Sequence, residues 1–324
     1  MQYRSTKGYN GWEQLGFFIA FLGAGFILAE ASIVFIGLKA LGPSILPLSE
    51  KLEAIQSALL KLENSGYAQL AQIIGVFFLM FLPAAAFILF CHAKFSWAGF
   101  NKHFSLRQIL IGALIIYFSN FFASPFENLT KQVLAHFHHW DTLAKNAEDE
   151  YNSAVQSMSA LHTWPQFFMG VFIIAFLPAM FEELFFRGVM QNFLVQWWKR
   201  PIIAITVTSI LFSLVHASYY LFISRAILGF VLGLLFYYSK NIWVNIFAHF
   251  VNNMFALIQL FYSNITTTSK PNIDDMDPKL PFWTVVISFT VLAALFFLFD
   301  LRSKANREII TAEESAMDDH LIIN

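Results

Sequence analysis

Apolar runs of bilayer length recur along the chain, each closed by a short polar or basic segment. A hydrocarbon core of about 30 Å needs about 20 apolar residues in a helix. The pattern predicts eight spans: about Leu15–Leu38, Leu70–Cys91, Gln108–Ala123, Pro165 into Glu182-Glu183, Ile202–Tyr219, Leu221–Tyr238, Ile242–Phe261 and Phe282–Phe299. Pro125 is expected to end the third, because the residue before a proline is pushed out of the helical region. Leu52, Ile55, Leu59 and Leu62 recur at helical spacing and predict a short amphipathic helix between the first two spans. Gly188–Trp198 reads as an interfacial helix anchored by Trp197, Trp198, Lys199 and Arg200. Ser124–His162 is the longest polar segment, Ser263–Pro281 an acidic loop, and a charged tail, expected to be flexible, follows Phe299.

Composition sharpens this into a fold class. Of 324 residues 57% are hydrophobic and 13% charged, against roughly 25% charged in a soluble domain. The chain is expected to be all-α, a polytopic transmembrane helical bundle of about eight spans. A net charge of −1 suggests no nucleic-acid partner, and the single Cys91 excludes an intrachain disulfide. The first run lacks a small-residue cleavage site and reads as a retained span. With the amino terminus inside, the three loops joining spans on the inner face hold Lys94, Lys102, Arg107, Lys199, Arg200 and Lys240 and no Asp or Glu. The outer loops hold most of the acids. This positive-inside pattern places both termini in the cytoplasm of a multi-pass protein, at the plasma membrane if the source is bacterial.

Against this background the buried ionisable groups stand out. Glu182, Glu183 and Arg187 sit at the end of span four. On insertion scales each such group costs about 2.5–3.5 kcal/mol, so function is the default reading. Glu183 and Arg187 stand one helical turn apart and can pair; Glu182 points roughly 100° away and stays available. Pro178 leaves the carbonyl of Ile174 without its usual donor. Span five carries Phe212-Ser213-Leu214-Val215-His216. Span seven carries Asn245, His249 and Asn253 on one stripe, with Asn252 beside it. Glu30 in span one reads as facing the bundle or the outer interface. His136, His138 and His139 read as a solvated helix, since no carboxylate stands at ligand spacing.

Taken singly, each histidine is a buried group that could simply be satisfied. Three spans each presenting catalytic-type side chains point to one site. Its chemistry is water activation: Glu182, alone or with His216, takes the proton, and His249 with Asn253 donates to an oxyanion. That describes hydrolysis of an amide inside the membrane. Zinc on Glu182, His216 and His249 is the competing arrangement, although the His-Glu-x-x-His helix is absent; the reading favours no metal or other cofactor. An ion transporter would show inverted repeats, and none is visible; a non-catalytic immunity or scaffold protein is a further alternative. One feature resists the picture. Arg200 to His216 spans about 24 Å of helix and Asn241 to His249 about 12 Å, so span five must start beyond the membrane surface or tilt strongly.

Glu182-Glu183-x-x-x-Arg187, Phe212-x-x-x-His216 and His249-x-x-x-Asn253, in this order, resemble the three motifs of the CAAX protease and bacteriocin-processing (Abi) family of intramembrane endopeptidases, over about Pro165 to Phe261. The resemblance implies a glutamate-based protease of about eight helices acting on a membrane-associated peptide or protein. By position it assigns water activation to Glu182 and His216, support to Glu183 and Arg187, and oxyanion binding to His249 and Asn253. The expected layout is a cytoplasmic lead (1–14), amino-terminal spans (15–124), an extracytoplasmic segment (125–162), a catalytic core (163–262), an outer loop (263–281), a last span (282–300) and a cytoplasmic tail (301–324).

Overall fold

A computed structural model of the chain describes residues 3–61, 65–158, 161–266 and 280–322. Among these the elements are α1 (Gly11–Leu41), α2 (Leu48–Leu59), α3 (Gly66–His92), α4 (Leu106–Leu134), α5 (His138–Met158), α6 (Trp164–Trp198), α7 (Pro201–Leu214), α8 (Phe222–Ser239), α9 (Ile242–Thr266) and α10 (Thr284–Ile322). Seven are long and apolar enough to cross a membrane, and α7 is a shorter apolar eighth. The protein is a polytopic helical bundle, as the hydropathy pattern predicts.

Local chemistry sets where several helices begin. Asn10 with Glu13, Ser105 with Gln108, and Thr163 with Gln166 form reciprocal capping boxes before α1, α4 and α6. Pro201 opens α7, where a missing N–H costs nothing. Two apolar cores flank the middle of the bundle. One is Phe-rich and joins α1, α3 and α6 through Phe18, Phe87, Phe186 and Phe193. The other joins α4, α8, α9 and α10 through Ile115, Leu235, Val244 and Phe299. Close approach of α1 to α3 needs Gly25, because a Cβ there would overlap the Phe78 carbonyl oxygen.

Three local expectations are corrected. Pro125 does not end the third span; it lies buried inside α4, which continues to Leu134. The proline removes one hydrogen bond, whereas leaving the helix in an apolar medium would strand many backbone groups. Gly188–Trp198 is not a separate interfacial helix. It is the last part of the 35-residue α6, with Val189, Phe193 and Leu194 buried in the Phe-rich core. Nor does the charged tail start as a loose segment. Helix α10 runs on through it, and Gln108 bridges Ser303 Oγ (3.1 Å) and Asn306 Nδ2 (2.6 Å) while His103 pairs with Glu313 (2.9 Å). Charges on the outer side of a docked helix look like a tail in sequence.

Other expectations hold. Helix α2 forms and packs Ile55 against Gly37 of α1; Leu62 and most of the Ser263–Pro281 loop lie outside the described residues. His136, His138 and His139 are exposed. Glu30 is exposed and lines a cavity of about 300 Å³ between α1, α2 and α3. The mismatch in helix lengths also resolves. Helix α9 starts recessed: Asn241 is fully buried, its side chain bonds Asn101 and the His103 carbonyl, and the Ile242 amide bonds the Gly99 carbonyl. Lys199 and Arg200, before α7, remain exposed.

Candidate active site

The site begins with the break in α6. Pro178 cannot donate, and the turn before it widens over Val171–Phe176, so that Leu177 N–H bonds the Phe172 carbonyl five residues back. Beside the break a side chain reaches the backbone: Asn253 Nδ2 donates to Ala175 O at 3.3 Å. A second widened turn, Leu184–Gln191, follows the carboxylates. Such turns change which side chains share a face, and here Glu182, Glu183 and Arg187 are all buried.

Glu183 is fully enclosed and saturated with donors. Its Oε1 accepts from Arg187 Nη1 at 2.9 Å and from His249 Nδ1 at 2.8 Å; its Oε2 accepts from Asn245 Nδ2 at 3.1 Å. Arg187 also donates to the Gly229 carbonyl at 3.1 Å and lies 4.5 Å over the Phe212 ring. Gly229 permits this: α8 passes so near Ser209 and Phe212 that a Cβ would crowd both. One turn on, Gln191 repeats the contact with the Gly233 carbonyl at 2.9 Å. The expected pair of Glu183 and Arg187 is therefore present within a larger network.

Glu182 has the opposite environment. Its Oε2 is buried and makes no hydrogen bond to a described residue. His216 Nε2 stands 3.9 Å from that oxygen and His249 Nε2 3.8 Å. Both separations suit one bridging water. The remaining ring nitrogens are committed: His249 Nδ1 to Glu183, and His216 Nδ1 to the Phe212 carbonyl at 2.7 Å. A carbonyl only accepts, so His216 holds a proton on Nδ1 and turns Nε2 toward Glu182. His216 lies just past the end of α7, in a turn where Ala217 takes a left-handed φ of 52°.

The structure thus brings Glu182, Glu183, Arg187, His216 and His249 into one cluster. Asn253 stands one turn beyond His249, with an amide hydrogen on the broken backbone of α6. Sequence reasoning noticed Asn245 only as part of a stripe and missed Gln191 and Gly229; nothing in the spacing marks a glycine carbonyl as a guanidinium acceptor. Glu182, His216 and His249 match a catalytic zinc set by type. Among the described residues, however, no three His, Cys, Asp or Glu side chains are placed to hold a metal ion.

Residues 164–255 match the family described as Rce1-like, type II CAAX prenyl endopeptidase Rce1-like. The match opens with α6 and ends within α9, enclosing all three motifs. No curated protein and no solved structure matches the chain.

Proposed function

With residues 164–255 as an Rce1-like core, we propose that the chain is an intramembrane endopeptidase that hydrolyses a peptide bond near the end of a prenylated, CAAX-type substrate. One observation carries the mechanism: a buried, unbonded Glu182 oxygen faces two imidazole nitrogens at one-water distance. A water there donates one hydrogen to Glu182 and the other to His216 Nε2. Glu182 takes the proton as the oxygen attacks the scissile carbonyl, then delivers it to the leaving amine.

His249 serves the oxyanion. Its Nδ1–H is held by Glu183, so a second proton on Nε2 makes it a charge-assisted donor. That proton also balances the site: Glu182 and Glu183 carry two negative charges against one on Arg187, and an imidazolium supplies the other. Asn253 adds its second amide hydrogen. No metal enters this scheme.

The test is cleavage of a quenched, prenylated CAAX peptide by purified protein, with metal content measured in parallel. Cleavage without bound metal is expected. Stoichiometric zinc that disappears with His216→Ala or His249→Ala would replace this mechanism by a metalloprotease one.

The acid-free basic loops support cytoplasmic termini. Single cysteines introduced in a Cys91→Ala background should label from the cytoplasmic side at Lys102 and from the opposite side at Asp149. The reverse pattern would invert the topology.

A further inference from the structure

We infer that α5 is a strap that positions His216 from outside the catalytic helices, acting through Glu148 and Ser218. This rests on the proposed role of His216. The polar segment that becomes α5 carries no motif, and the mechanism above does not use it.

Helix α5 turns Asp141, Ala144, Glu148 and Tyr151 inward at spacings of three and four residues. A surface helix ordinarily turns apolar side chains inward; two carboxylates on this face need a reason. Each has a partner in the link between α7 and α8 that carries His216. Ser218 Oγ donates to Glu148 Oε2 at 2.7 Å, and both residues are buried, at 4% and 7% exposure. The same hydroxyl accepts from the Leu221 amide at 3.2 Å and so closes the 218–221 turn. Tyr220 donates to Asp141 Oδ1 at 3.1 Å. Lys145, bonded to the other Asp141 oxygen at 2.6 Å, holds that carboxyl below the usual carboxylate range and keeps it an acceptor. Arg225 stacks 4.7 Å over Tyr151 and donates to the His216 carbonyl at 3.3 Å.

The link needs such support. Helix α7 has fourteen residues and ends at Leu214; beyond it only short i→i−3 bonds hold the backbone, His216 N–H to the Ser213 carbonyl at 3.2 Å and Ala217 N–H to the Leu214 carbonyl at 3.1 Å. Its neighbour Ala217 is left-handed, a conformation disfavoured for any residue with a Cβ. Strain of this kind persists only where the surroundings over-determine it. Without α5 the turn can relax, and His216 Nε2 leaves its place beside Glu182. A misplacement of about 1 Å can cost about 10²-fold in rate.

The experiment uses the full chain in lipid nanodiscs, with Glu148→Ala, Ser218→Ala, their double variant and Glu148→Gln. Glutamine keeps an oxygen for the Ser218 hydroxyl. Glu148→Ala and Ser218→Ala should lower kcat by about 10- to 100-fold with KM little changed. The double variant should fall no further than the worse single one, because both cut one bond, and Glu148→Gln should restore most of kcat. Histidine-labelled protein supplies a second readout, with the His216 resonance assigned by His216→Gln. That resonance should shift or broaden in both alanine variants and return in Glu148→Gln. If the wild type cleaves no peptide, the protease reading fails while this resonance still decides the strap. An unchanged His216 resonance in both alanine variants overturns the proposal. So does a loss of kcat that Glu148→Gln leaves unrecovered, which would make α5 a folding element only.

Discussion

Glu182→Gln should leave the protein folded and membrane-inserted while cleavage falls by at least about 10²–10⁴-fold, the usual worth of a general base. The structural half follows from what Glu182 does not do. Arg187 spends its charge on Glu183 and its remaining reach on Gly229, and Glu182 Oε2 has no hydrogen-bond partner among the described residues. An amide of the same shape therefore breaks no hydrogen bond at that oxygen. The chemical half follows from what an amide lacks. It cannot take a proton at neutral pH, and its NH₂ would turn a donor toward a water that needs an acceptor. The loss should exceed that of a base alone, because Glu182 also fixes the water between His216 and His249. Thermal melting alongside kcat on the purified variant separates the two halves. Wild-type turnover in Glu182→Gln would remove Glu182 as the base.

Much of this site is legible in the sequence. Ionisable side chains are so costly in an apolar span that Glu182, Glu183, Arg187, His216 and His249 had few reasons to be there except to meet. The helical period alone predicted that Glu183 would take Arg187 and leave Glu182. What stayed hidden depends on the backbone. The motif makes Asn253 an oxyanion donor, and the structure shows one of its hydrogens on Ala175 O, in the widened turn before Pro178. Likewise the sequence suggests His249 for the oxyanion but not that Glu183 fixes its Nδ1. That contact joins two helices and has no local signal.

At the level of the fold, hydropathy located the spans but misjudged three ends for one reason. It scores residues by polarity and is blind to what covers them. Pro125 marks a helix end in water and is tolerated where the alternative is unpaired backbone in lipid. Gly188–Trp198 resembles an interfacial helix until its Val189 and Phe193 are packed with Phe87 and Phe18 in the same core. Ser303 and Asn306 resemble tail residues until Gln108 is found between them. Each correction is a tertiary contact overriding a local rule.

Glu183→Met should be the most destabilising substitution in the site, and pairing it with Arg187→Met should restore stability without activity. Glu183 is an acceptor that Arg187, His249 and Asn245 share. Removing it strands a buried guanidinium, and breaking a buried ion pair from one side costs about 3–5 kcal/mol. Against a total stability of about 5–15 kcal/mol, the single variant should melt far earlier or fail to accumulate. Replacing both members by apolar side chains of similar volume is often neutral, since the desolvation of two charges disappears with their attraction. The double variant should therefore regain most of the lost melting temperature. Cleavage should not return, because His249 no longer has a carboxylate to orient its ring and balance a second proton. Stability and activity then part company at one residue. Recovery of both in the double variant would show that Glu183 serves the fold alone and that His249 needs no partner to act.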